Sequence, residues 1–370
     1  MRHGEVFRLQ VVARQIGGKM GRNLSPWLMF LEMAERHKPK YAFEGGTEEE
    51  WKEWKGRALP EVLSTLGPMP EKVPLNPEVV AEWEAEGVIM RRVLIDVQEG
   101  LSAALLINRP PDATPEDPKP AILCCHGHGP YGKESVMGNR STADIVAHTR
   151  ELNYDCGLKM AQEGFITFSI DWMGFGERNE AHKPNPGKPA GNRDWCNLYY
   201  LLATMLGMTV LGLDVHHGKA AIDYVTSLPF VDGDRLGVMG LSFGGTMSVW
   251  MTLADERIRA TDVICYSDMF SRFGFRDLNT CGSQITPGLF SLVDLPDLQG
   301  LIAPGPLLVE IGTRDECFRL DDAMSCYRKV ERIYRAAGCP ERLELDLFDG
   351  GHRWGGNRSV EFFRKYLMGG

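Results

Sequence analysis

A serine framed by glycines, a histidine near the carboxyl end and an aspartate between them are the residues of this 370-residue chain best suited to nucleophilic chemistry. Ser242 lies in Gly240-Leu241-Ser242-Phe243-Gly244-Gly245, where the apolar run LGVMG ends and a helical pattern starts at once. G-x-S-x-G between strand and helix is the spacing of a nucleophile elbow, a strained turn that presents a serine hydroxyl above a sheet. Side chains at the flanking glycines would collide with the neighbouring strand or helix. A serine hydroxyl is too weak an acid to ionise at neutral pH, so an imidazole must take its proton during attack. The chain must therefore supply a base and a carboxylate to orient it.

Both follow later strands. Gly312-Thr313-Arg314-Asp315 comes directly after PLLVEI, and Asp349-Gly350-Gly351-His352-Arg353-Trp354 follows LELDLF. Of nine histidines, His352 alone lies beyond both Ser242 and Asp315. In the chain order Ser, acid, His this makes Asp315 the orienting acid and His352 the base. Glu316 and Asp268 are the competing acids, since each also sits after a strand. An oxyanion needs preorganised N–H donors. The backbone amides of Phe243, after the nucleophile, and of His128, in the turn His126-Gly127-His128-Gly129-Pro130, are assigned to it.

Two rival chemistries touch the same residues. His126-x-His128 behind Cys124-Cys125 invites a metal, but the Asp and further His of a metallo-hydrolase pattern do not follow. Gly240 to Thr246 has the glycine spacing of a phosphate-binding loop, yet no lysine follows Gly245. The expectation is hydrolysis with neither metal nor organic cofactor.

The elements that must position these groups alternate. VIMRRVLIDVQ and LSAALLINR read as half-exposed antiparallel strands, whereas AILCC reads as a strand covered on both faces. Helix 142–163, strand 165–170, helix 197–228, the elbow strand, helix 246–254, ATDVICYS, PLLVEIG, helix 321–337, LELDLF and a helix over 359–367 follow. Repeated β–α units after an antiparallel opening predict an α/β fold with a mostly parallel sheet and helices on both faces. Ligands gather at the carboxyl ends of such strands. Residues 1–85 read as an amino-terminal helical extension, with helices near Ser25–Arg36 and 47–66 and a capping box from Thr47 to Glu50. Residues 86–370 read as the catalytic domain, with cap-like insertions near 174–195 and 269–304. Asp171, Trp172, Glu177 and Arg178 are candidate substrate contacts. Phe270 is another, with Phe273, Phe275, Leu289 and Phe290 forming an apolar cap.

A net charge of −9 without any Lys/Arg block excludes nucleic acid and anionic membranes as expected partners. The amino terminus lacks the apolar core of a secretory signal and no run reaches membrane-span length, which predicts a cytoplasmic chain. Nine cysteines without framework spacing fit reduced core thiols. The expected partners are a small-molecule ester and, through the helical extension, a further copy of the chain.

HGHG, GLSFGG, GTRD and DGGHRW in this order resemble the α/β-hydrolase fold over residues 88–370, and within it the dienelactone-hydrolase-like and acetyl xylan esterase-like branch. Asp171-Trp172-Met173-Gly174-Phe175-Gly176-Glu177-Arg178 is similar to that branch as well. Ser242 stands where dienelactone hydrolases proper carry cysteine, and Phe243 where cephalosporin-deacetylase-type acetyl xylan esterases carry glutamine. The resemblance implies a serine carboxylic-ester hydrolase with a Ser242–His352–Asp315 triad, acetylated carbohydrates being among its candidate substrates. A serine peptidase of the same fold and a non-catalytic binding protein are the alternatives.

Overall fold

The computed structural model describes residues 22–182 and 194–369, so the first part of the extension and half of the 174–195 insertion lie outside the described residues. Among the described residues nine strands form one sheet: β1 Glu78–Ala85, β2 Val88–Gln98, β3 Leu101–Arg109, β4 Lys119–Cys125, β5 Ile166–Ile170, β6 Val231–Leu241, β7 Ile258–Ile264, β8 Leu307–Gly312 and β9 Leu343–Phe348. Their spatial order is β1-β2-β3-β5-β4-β6-β7-β8-β9. β1, β2 and β3 pair antiparallel, as do β3 and β5, while all pairs from β5–β4 to β8–β9 are parallel. This is the predicted α/β architecture. β4, β5 and β8 are buried at nearly every position because helices cover both faces, with Thr167, Ser169 and Glu310 as buried polar members of β5 and β8.

The sheet starts earlier than residue 86. EVVAEWEA forms β1 at its edge, with seven of eight residues exposed, so no buried face writes an alternation into the sequence. Glu78, Glu82 and Glu84, together with a bulge between Val79 and Ala81, keep this edge from pairing further.

Two expected long helices are each two. Residues 142–163 divide into Ala143–Leu152 and Cys156–Gln162, because Asn153 takes the left-handed conformation (φ 50°) and caps the first. Residues 197–228 divide into Trp195–Met205 and Val210–Thr226, which meet at 101°. Gly207 (φ 71°) ends the first, and the Thr209 hydroxyl accepts the Gly212 N–H to start the second.

The extension helices Pro26–Arg36 and Glu48–Ser64 are docked on the sheet domain. The Thr47–Glu50 capping box is formed in both directions. Trp51, Ala58 and Val62 are buried in the main core, and burying Trp51 or Val62 contributes about 1.5–3 kcal/mol each. Trp27 Nε1 donates to Phe275 O (2.9 Å), the Phe43 amide donates to Asp297 (2.9 Å) and the Thr209 hydroxyl donates to Leu66 O (2.6 Å). A second core lies beneath the opposite sheet face, around Ile122, Met239, Phe362 and Phe363. None of the nine cysteines is in a disulfide, and only Cys317 is not fully buried.

Candidate active site

β6 ends at Leu241 and the helix Phe243–Ala254 begins one residue later, so Ser242 alone makes the turn. Its backbone sits at φ 61°, ψ −118°, a region sparsely populated by non-glycine residues and costing roughly 1–3 kcal/mol. The tightness explains the glycines. A Cβ on Gly240 would stand 2.4 Å from the Gly244 carbonyl, and one on Gly244 would stand 2.1 Å from Cys125 O. One on Gly245 would stand 2.6 Å from the Tyr266 Cβ. Strand β4 and the loop after it leave no room for anything larger.

That loop abuts the elbow because β4 and β6 are neighbours in register, Cys125 opposite Gly240. Gly127 lies against it, where a Cβ would stand 2.6 Å from Leu241 O and 3.2 Å from the Ser242 Cβ. Its amide donates to the buried Tyr154 hydroxyl. The amides of Phe243 and His128 donate no hydrogen bond among the described residues. Phe243 is the first residue of its helix, where N–H groups have no intrahelical acceptor.

His126 is buried and structural. Its Nε2 accepts the Trp172 amide (3.0 Å) and its Nδ1 donates to Gly127 O (2.8 Å). Burial pushes its pKa down to about 4. Both ring nitrogens are therefore occupied, which removes His126 as a metal ligand. His128 instead faces outward and packs its ring edge on Phe175 and Phe243, with centroids 5.1 and 5.2 Å away.

Asp315 and His352 meet. His352 Nδ1 lies 2.9 Å from Asp315 Oδ2, and Asp315 Oδ1 accepts the amides of Cys317 (2.7 Å) and Phe318 (3.0 Å). The carboxylate is almost fully buried while the imidazole keeps 22% side-chain exposure. The ring stacks on Phe318. β9 is three strands from β6, which puts their ends roughly 14 Å apart. The loop carrying His352 closes much of that gap by crossing back over β8: the Arg314 amide donates to Gly350 O (2.8 Å), and Arg353 O lies 3.5 Å from Cys265 Sγ at the end of β7. Buried Glu310 holds the return leg, accepting the amides of Gly355 (2.9 Å) and Gly356 (3.1 Å) and the Ser359 hydroxyl (2.6 Å). No hydrogen bond joins the Ser242 hydroxyl to His352 among the described residues, and such bonds commonly tighten only on substrate binding.

Of the competing acids, Glu316 is exposed. Asp268 is fully buried, accepts its own neighbour's amide (Met269, 2.6 Å), and has no contact with His352. Burial raises its pKa to about 7.

The candidate substrate contacts after β5 are engaged internally. Asp171 accepts the Lys133 amide (2.8 Å) and the Lys133 ammonium (2.7 Å), which also reaches Glu177 (2.6 Å). Trp172 is completely buried, and the Arg178 guanidinium bonds Asp171 O (3.1 Å) and His217 (3.1 Å). This DWMGFGER stretch staples the HGHG loop to the sheet. The buried Trp172 indole and the Asp171 and Arg178 charges are the staple's own material, whereas Glu177, paired with Lys133 and Arg92, keeps its side chain exposed. Phe270 is buried as well, its amide bonded to Asp294 (2.8 Å). It lines an apolar cavity of about 420 Å³ in the cap with Tyr200, Phe275, Ile285 and Phe290, which none of Ser242, Asp315 and His352 lines. Lys133, Tyr154, Glu310 and Phe318 are positioning residues that carry no local motif, so sequence reading passed over them.

A model of the Abhydrolase family matches residues 9–350. The chain belongs to the abhydrolase family. "Putative hydrolase YtaP" of Bacillus subtilis (strain 168) is 24% identical over 315 residues, covering 83% of this chain and 98% of that protein. Among solved structures, a "putative acetyl xylan esterase" from Bacteroides fragilis NCTC 9343 superposes with a TM-score of 0.71 at 18% identity, covering 94% of this chain and 90% of that one. A glucuronoyl esterase from Solibacter usitatus gives 0.63 at 17% identity, covering 89% and 97%. At these identities the structural likeness is one of fold. The abhydrolase family match also runs through residues 22–85, in keeping with the docking of the extension on the sheet domain.

Proposed function

We propose that this abhydrolase is a serine carboxylic-ester hydrolase working through an acyl-enzyme. The observation that carries the reading is the Asp315–His352 hydrogen bond on a loop that folds back toward the strained Ser242 elbow. Attack of Ser242 Oγ on the ester carbonyl carbon forms the new C–O bond while His352 Nε2 takes the hydroxyl proton. Asp315, bonded at Nδ1, keeps the Nε2 lone pair free and stabilises the imidazolium. The negative oxygen is held by the amides of Phe243 and His128. Collapse breaks the bond to the alcohol, which leaves with the proton from His352, and water then releases the acid by the same two steps.

The names of the fold relatives favour small esters on carbohydrate, acetyl groups first. The deciding assay offers purified protein acetylated sugars, aryl acetates, lactones, glucuronate esters and peptide amides. Turnover of esters with none of amides supports the reading, and hydrolysis of amides alone replaces it with a peptidase. A fluorophosphonate probe is expected to label Ser242, located by peptide mass spectrometry; label elsewhere reassigns the nucleophile.

The acids separate by mutation. Asp315→Asn is expected to lower kcat by about 10⁴-fold, because the amide stabilises the wrong tautomer. Asp268→Asn is expected to leave kcat near wild type, since a carboxyl raised to about 7 by burial is already half neutral. The reverse ranking would transfer the orienting role to Asp268.

A further inference from the structure

The exposed His128 ring is not alone at the rim. Its Nε2 lies 3.0 Å from Cys281 Sγ, and His128, Cys196 and Cys281 bring their ligand atoms all within 4.8 Å of one another. The three come from separate parts of the chain: the loop after β4, the first turn of the helix Trp195–Met205, and the start of the single turn Gly282–Gln284 in the cap. We propose that this His/Cys/Cys cluster is a binding site for a soft divalent cation, with Zn²⁺ as the principal ligand, and that the ion clamps the cap to the loop beside Ser242.

The donor set is two thiols and an imidazole, the combination that selects zinc over hard cations. Tetrahedral bonds of about 2.3 Å to sulfur and 2.0 Å to nitrogen place ligand atoms roughly 3.5–3.8 Å apart. Closing the cluster onto an ion therefore takes movements of about 1 Å or less. The residues next to the two thiols are tied together: Gly282 N–H donates to the Asn197 side-chain Oδ1 (2.8 Å), and Gly282 fits against Tyr200 so closely that a Cβ would come within 2.2 Å of the tyrosine Cβ. His128 is open to solvent and gives the ion its way in. No fourth His, Cys, Asp or Glu joins the cluster among the described residues, which leaves the last position to water.

A second trio, Cys265, Asp315 and His352, also brings its ligand atoms within 4.8 Å of one another. In it His352 Nδ1 is already bonded to Asp315. The experiment must separate the two.

Full-length protein, reduced with a phosphine and stripped of metal, is titrated with Zn²⁺ against a chromophoric chelator, and in parallel with Co²⁺. The wild type is expected to withhold one equivalent, to show the near-ultraviolet thiolate-to-cobalt absorption, and to gain melting temperature with Zn²⁺. Cys196→Ser and Cys281→Ser should each lose the equivalent, the absorption and the gain, whereas Asp315→Asn keeps all three. Should a cysteine variant fail to fold, His128→Gln, altering an exposed ring, must still lose the equivalent. Wild-type protein that withholds no ion, or an equivalent lost in Asp315→Asn and kept in the cysteine variants, overturns the assignment.

Discussion

Ser242→Ala is expected to lower kcat toward p-nitrophenyl acetate by roughly 10⁴- to 10⁶-fold, to whatever the oxyanion donors and binding supply without a nucleophile. The magnitude follows from the unitary action of a triad, in which His352 and Asp315 have nothing to activate once the hydroxyl is gone. Stability should change little. Alanine has the same Cβ as serine, so the positive-φ strain at the elbow persists, and the hydroxyl makes no hydrogen bond among the described residues whose loss would be felt. Stopped assays with enough enzyme to detect residual turnover, together with a thermal melt, check both halves. Activity within tenfold of wild type would remove Ser242 from the mechanism.

Lys133→Met should destabilise the fold by about 3–5 kcal/mol, read as a lowered urea midpoint at unchanged slope. Lys133 has no exposed surface. Burial alone works against its charge, but Asp171, Glu134 and Glu177 outweigh that and leave its pKa raised. Methionine fills much of the same volume and removes the cation, so buried Asp171 keeps the amides of Lys133 (2.8 Å) and Glu177 (3.0 Å) but loses its counter-charge. Such a group is costly where no water reaches it. A second readout follows from position, since this ion pair joins the loop after β4 to the loop after β5. Ester turnover should fall in the folded variant as the His128 amide loses its fixed place. A loss below 1 kcal/mol would show that the network relaxes around the missing charge.

The elbow was legible because its geometry is local. Three glycines within six residues, each excluded from carrying a Cβ by a neighbour under 3 Å away, mark Ser242 without knowledge of anything distant. The sheet was legible for a similar reason, since β4 is covered on both faces and writes that burial as the unbroken apolar run AILCC. β1 shows the converse. A strand exposed along nearly its whole length has no buried face to record, so EVVAEWEA carries no period. The helix breaks at Asn153 and Gly207 were readable in principle, as both residues favour the left-handed conformation, but amphipathic spacing runs on either side of each and masks the interruption.

What the residues determined alone was the chemistry on offer and the order of the motifs: a serine on a tight turn, an acid and a histidine after later strands, and a family-wide fold to hold them. Tertiary structure decided which acid reaches His352, that Asp171, Trp172 and Arg178 face inward as a staple, and that His128 shares its rim with two thiols far away in the chain. Backbone turns obey near neighbours, whereas a side chain's partners depend on which strands lie side by side and which loops cross between them. Only the whole sheet sets those.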